Sequence, residues 1–354
     1  MEWSRHSCLA GIATIGAALV LAACASGPVT PYAQNVPPIV LVTTEDAGVR
    51  DLRGAFRAAT CSRLPANAPA CDDVLLRLPG EVSAATPGPS TGLPQRYRIA
   101  FVPGFLSECF DRYARPFADA QRVLTEEGFV VDFFRVPGRG TTADGAQQLA
   151  AHFAALDGDP RPIILFAYSK GLPDTLAFVV GHPAAAKRIA AIVSVAGAMN
   201  GSPLADDLAS AYRDLAAGFP LPGCAAGTGA EIHDLRRDVR LEWWRQNRQA
   251  VTLPVFALVA APRPDRVSPA TRLTYDRLAR QDPRNDGKLL AQDQIVPGGY
   301  LLGYANADHW AVAIPLAEAL PSWSALYRDD VPRPALVRGA IDVVAETLQT
   351  TARK

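Results

Sequence analysis

The chain has 354 residues, 49% of them hydrophobic and 20% charged, and its 35 basic side chains balance 35 acidic ones. This is the composition of a globular chain with a sizeable core. The even charge balance excludes the strongly basic surfaces that hold nucleic acid or anionic headgroups, so no nucleic-acid partner is expected.

The N-terminus reads as an export signal. Arg5 and His6 precede an uncharged stretch from Ser7 to Ala23 that closes with Leu21-Ala22-Ala23-Cys24, a lipobox, so residues 1–23 are expected to be removed and Cys24 lipidated. A membrane-spanning helix wants about 20 apolar residues, which this stretch barely supplies. Membrane contact is therefore expected through the lipid on Cys24, with Ala25 after it consistent with sorting to the bacterial outer membrane. Four further cysteines remain besides Cys24 once the signal is gone: Cys61, Cys71, Cys109 and Cys224. In an exported protein an even number suggests two disulfides, and Cys61–Cys71 with Cys109–Cys224 is the expected pairing because the first closes a local loop.

Residues 24–38 form a Pro-containing tether, and residues 39–95 an N-terminal extension packed on the main domain, which spans 96–354. Within the extension the apolar run Ile39-Val40-Leu41-Val42 precedes a helical pattern at Leu52, Ala55, Phe56 and Ala59. From Arg96 onward the pattern alternates. Strands are predicted at Tyr97–Val102, Phe129–Val136, Ile163–Tyr168, Ile189–Val195, Val255–Ala260 and Tyr300–Tyr304. Helices are predicted at about Arg112–Glu127, Ala143–Ala155 and Leu172–Val180, with a packing helix through Leu336, Ile341, Val344 and Leu348. Such alternation implies an α/β fold, a mainly parallel sheet with helices on both faces. The stretch of about 200–252 breaks the rhythm and reads as a helical cap, in which Trp243 and Trp244 either line an acyl pocket or serve as packing residues.

The chemistry starts at Ala167-Tyr168-Ser169-Lys170-Gly171, where a strand runs into a helix through small residues two positions either side of a serine. A sharp strand-to-helix turn has room for little else and presents the hydroxyl as a nucleophile. Serine needs a base, an acid to orient that base, and donors for the oxyanion. Of the histidines, His6 leaves with the signal, His152 and His182 fall in or at the end of helices, and His233 lies in the cap region. His309, in Asn306-Ala307-Asp308-His309-Trp310 at a strand end, is the remaining base. Asp265, Asp286 and Asp293 lie between the preceding strand and His309; Asp286 in Asn285-Asp286-Gly287 is preferred as the acid, with Asp265 the alternative. The backbone N–H groups of Lys170 and of Phe105, in Val102-Pro103-Gly104-Phe105, are the expected oxyanion donors, since Pro103 has no N–H.

In these segments, taken in order and together with Asn200-Gly201-Ser202-Pro203-Leu204-Ala205-Asp206, the chain resembles bacterial α/β-hydrolases of the lipase and esterase kind over roughly residues 96–315. The usual His-Gly of the first segment is replaced at Pro103, the Pro-His before the third by Ala198-Met199, and the first elbow glycine by Ala167. The resemblance implies hydrolysis of carboxylic esters through an acyl-enzyme, with a small-molecule or lipid ester as substrate and no metal or other cofactor. It also favours Asp286, because lipases of this kind often carry their acid in an Asn-Asp-Gly segment. An acyltransferase built on the same triad, or a non-catalytic envelope lipoprotein with the same fold, are the alternatives.

Overall fold

Period-two burial builds the sheet. In β2 (Arg98–Val102) Ile99 and Phe101 face one core while Ala100 and Val102 face another, and β4 (Ile163–Tyr168) divides its six residues between the two cores in the same way. Strands buried on both faces belong in a parallel sheet covered by helices. The computed structural model shows such a sheet, and it describes residues 48–85, 91–111, 113–156, 158–207 and 225–352. Cys24, the tether and Ile39–Val42 lie outside these residues.

Among the described residues the sheet has seven strands, all parallel, in the order β1-β7-β6-β5-β4-β2-β3. The remaining strands are β1 (Arg50–Asp51), β3 (Val131–Phe133), β5 (Ile189–Val195), β6 (Val255–Ala260) and β7 (Tyr300–Ala305). Helices α1 (Arg53–Cys61), α2 (Ala118–Glu126) and α7 (Arg333–Ala352) cover one face, where Phe56, Leu124, Leu336 and Ile341 pack on Phe101, Phe166 and Val193. Helices α3 (Thr142–Ala154) and α4 (Gly171–Gly181) cover the other through Leu149, Phe153, Leu176 and Phe178. Phe101 stacks on Phe166 at 5.1 Å and on Phe117 at 5.2 Å, which ties β2, β4 and the start of α2 into one aromatic cluster.

Three expectations shift. The helix expected from Arg112 begins only at Ala118, because Phe117 takes a left-handed φ of 58° that no helix can contain. The strand expected over Phe129–Val136 shrinks to Val131–Phe133, as suits an edge strand with a single neighbour. An unpredicted helix, α6 (Pro269–Leu278), follows Ser268, with proline at its first position, where the missing N–H costs nothing.

In the described part of the expected cap, α5 (Arg237–Asn247) carries Trp243 and Trp244, both packed against the core beneath α3 and α4. Trp244 lines a cavity of about 490 Å³ with Leu253, Val296, Tyr300 and Leu348, at the end of the sheet where β6 and β7 begin. The two tryptophans are packing residues, away from the strand ends that carry Ser169 and His309. Cys61 and Cys71 form a disulfide. Cys109 is also disulfide-bonded, and Cys224, its expected partner, lies outside the described residues.

Candidate active site

Ser169 sits where β4 ends and α4 begins, with φ of 55°. Such a conformation costs a non-glycine residue on the order of 1–3 kcal/mol, so the surroundings must hold it. They do so from both sides: Ser169 N–H donates to Val195 O at 3.2 Å, and Ser169 O accepts from Leu172 N–H at 3.2 Å and Ala198 N–H at 3.1 Å. The elbow also explains its glycines. A Cβ on Gly171 would meet Pro103 O at 2.6 Å and Val102 O at 2.7 Å, and one on Gly104 would meet Ser169 Cβ at 2.6 Å. Side chains at either position would drive the end of β2 away from the serine.

His309 Nε2 lies 2.9 Å from Ser169 Oγ, and its Nδ1 lies 2.7 Å from Asp286 Oδ2. The three side chains are nearly buried, Asp286 completely so. Asp286 is fixed in turn: Oδ1 accepts from Lys288 N–H at 2.8 Å and Leu289 N–H at 2.7 Å, and Oδ2 from Gln294 Nε2 at 3.2 Å. The turn itself depends on its neighbours. Asn285 Oδ1 accepts from Gly287 N–H at 2.9 Å, while Gly287, at φ of 86°, packs so close to Thr271 that a Cβ would come within 2.2 Å of Cγ2. The imidazole loop is joined to the acid a second time, by His309 N–H to Asp286 O at 2.9 Å. Asp265, the alternative acid, is exposed in a short turn (Pro264–Arg266) and does not join this group. Asp293 pairs with Arg237. Among the other described histidines, His152 contacts Arg135 O, His182 stacks on Phe178, and His233 is exposed beside Asp234. Among the described residues no cluster of His, Cys, Asp and Glu is arranged to hold a metal ion.

No protein-family model and no curated protein sequence matches the chain. Solved structures do. The metagenomic carboxyl esterase MGS0156 superposes with a TM-score of 0.80, at 34% identity over 91% of this chain and 100% of that one. The chain belongs to the carboxyl esterases of the α/β-hydrolase fold. The Bacillus licheniformis lipase BlEst2 shares the fold at greater distance: its mature form gives a TM-score of 0.50 at 18% identity, over 69% of this chain and 95% of the lipase.

In this esterase the loop after β2 passes directly beside Ser169. Gly104 touches Ser169, Ser107 Oγ donates to Gly104 O at 2.7 Å, and Glu108 reaches back to accept from Gly138 N–H and, at 3.1 Å, from Arg139 N–H. Phe105 packs against Ala198, Ile232, Leu235 and Leu289. On the other side of the serine, Lys170 N–H donates to no backbone carbonyl among the turn and loop bonds of the described residues, and the Lys170 side chain turns away into the core. There its Nζ lies 2.9 and 2.8 Å from the two carboxylate oxygens of Asp174, one helical turn on. Gly145 of α3 presses on Asp174, within 2.4 Å of where a Cβ would stand.

Sequence reasoning missed several residues of the esterase site. Tyr168 donates its hydroxyl to His309 O at 2.8 Å; burial, with Asp286 and Asp308 nearby, raises its pKa well above the ordinary value and keeps it a donor. Asp308 accepts from Ser268, Trp310 and Ala311 N–H and so shapes the turn that presents His309. Gln294 bridges Ala260 and Asp286, accepting from Ala260 N–H at 2.7 Å and donating to Ala260 O at 3.0 Å. Only Asp308 carried a signal, as a carboxylate one residue before the histidine with free amides to follow.

Proposed function

We propose that the esterase works through an acyl-enzyme on Ser169. The observation that carries this reading is the unbroken line from Ser169 Oγ to His309 Nε2 at 2.9 Å and from His309 Nδ1 to Asp286 at 2.7 Å. As Oγ attacks the ester carbonyl carbon, Nε2 takes the hydroxyl proton; it returns that proton to the alcohol oxygen as the C–O bond breaks. Water, activated by the same nitrogen, then hydrolyses the acyl-serine. Asp286 holds Nδ1 protonated so that Nε2 presents its lone pair to Oγ. The Lys170 and Phe105 amides are the donors assigned to the oxyanion, Lys170 following the nucleophile and Phe105 following Gly104, whose Cβ position would meet Ser169. A fluorophosphonate probe is expected to label the wild type and not Ser169→Ala; labelling that persists in the variant would sink the reading.

We further propose that the enzyme is exported and held in the cell envelope by a lipid on Cys24. The Cys61–Cys71 disulfide supports this, because such bonds persist in oxidising compartments. Among the described residues no helix is long and apolar enough to cross a membrane. Metabolic labelling with a palmitate analogue is expected to mark the wild type and to vanish in Cys24→Ser, and equal labelling of both would refute the anchor.

A further inference from the structure

Lys288 stands apart from the other cations of the site. Its backbone belongs to the acid turn, donating N–H to Asp286 Oδ1 and accepting from Ser202 Oγ at 2.5 Å. Its side chain is half-buried, with Nζ 4.8 Å from the centroid of the Trp310 ring. Yet the ammonium makes no hydrogen bond or ion pair with any described residue. Two carboxylates, Asp286 and Asp308, act on it through space, but their oxygens are taken by the Lys288, Leu289, Ser268, Trp310 and Ala311 amides and by His309 and Gln294.

An ammonium on an aromatic face with its N–H donors unused can take a hydrogen-bond acceptor, an anion included. Its position gives that anion a meaning. Leu289, the next residue, packs against Phe105 of the loop beside the nucleophile, and Trp310 follows His309 directly. Lys288 is thus the chain neighbour of a residue that packs on the oxyanion loop, and its Nζ lies over the residue that follows the base.

We propose that Lys288, seated on Trp310, receives a carboxylate carried by the substrate, so that the preferred esters bear a negative charge on their acyl or alcohol part. This rests on the acyl-enzyme reading above. Nothing in the neutral chemistry of ester cleavage requires such a lysine, which makes it a specificity residue and not a catalytic one.

The test compares matched esters that differ in one carboxylate: mono-p-nitrophenyl glutarate against p-nitrophenyl valerate for the acyl side, and 4-acetoxybenzoate against phenyl acetate for the alcohol side. In wild type, kcat/KM is expected to favour the charged member of at least one pair, with the preference weakening as salt is added. Lys288→Met is expected to lower that charged-to-neutral ratio by about tenfold, chiefly through KM, and Lys288→Arg to keep most of it. A ratio unchanged by Lys288→Met in both pairs, or a wild type that prefers the neutral ester in both, overturns the proposal. Hydrolysis of the neutral esters by wild type and its loss in Ser169→Ala report on the acyl-enzyme separately, so the two readings fail independently.

Discussion

Replacing Asp286 with asparagine is expected to lower kcat by about three to four orders of magnitude while leaving the fold intact. The reason lies in which way the new amide must face. Asp286 Oδ1 receives two backbone N–H groups, from Lys288 and Leu289, and Oδ2 receives only the longer bond from Gln294. An asparagine satisfies the larger number of donors by placing its carbonyl oxygen at the Oδ1 position. Its NH₂ then faces His309 Nδ1, which must accept. The imidazole proton is thereby moved to Nε2, where it blocks removal of the Ser169 proton. Steady-state kinetics with a p-nitrophenyl ester check this, with Asp265→Asn as the companion; a large loss in that variant instead would show that the exposed carboxylate is the acid.

The largest effect on stability is expected at Lys170. Lys170 and Asp174 are both fully buried and bonded to each other, and removing one partner of such a pair leaves an uncompensated charge at a cost of roughly 3–5 kcal/mol. Lys170→Met should lower the melting temperature by roughly 10 °C. Lys170→Met with Asp174→Leu should recover most of it, because two apolar groups of similar bulk leave nothing unpaired. The loss is expected to depend on pH in a definite direction. Burial pushes the Asp174 carboxyl up to about 6, against the pull of Lys170. In the unfolded chain the same group titrates near about 4, so the folded wild type binds the extra proton between these values and loses stability as pH rises through them, then levels off. Without Lys170 the folded carboxyl titrates higher still, and the decline continues above pH 6. Urea melts should therefore show a deficit roughly 2–3 kcal/mol larger at pH 8 than at pH 5. Equal deficits at both would mean that Arg240, the next cation to act on Asp174, compensates the charge unaided.

The central strands were legible because their residues are apolar on both faces and end in turn residues; Ile163–Tyr168, Ile189–Val195 and Val255–Ala260 have the predicted bounds. The edges were not. Arg50–Asp51 is a strand only because β7 lies beside it, and a two-residue charged segment has no pattern of its own. The start of α2 was misplaced for a similar reason: Phe117 is locked by its ring contacts and by its N–H bond to Ala313 O, a partner far along the chain. At the site, Ser169, His309 and Asp286 could be singled out because each sits in a short turn at a strand end with few rivals of its type. Gln294 could not, since a glutamine becomes a positioning group only through the fold that brings Ala260 and Asp286 to its two ends.

The pairing of Arg50 with Tyr300 joins the first described strand to the last, and α1 packs on α7 at the same edge. Completion of that edge must therefore wait until nearly the entire chain is present, because the surface that receives the N-terminal extension is made by the final two elements. Such long-range closure is slow. During synthesis the β7 side of the sheet stays open until the N-terminal segment returns to it, and the Cys61–Cys71 disulfide, which closes a loop of sequence separation 10, constrains that segment locally.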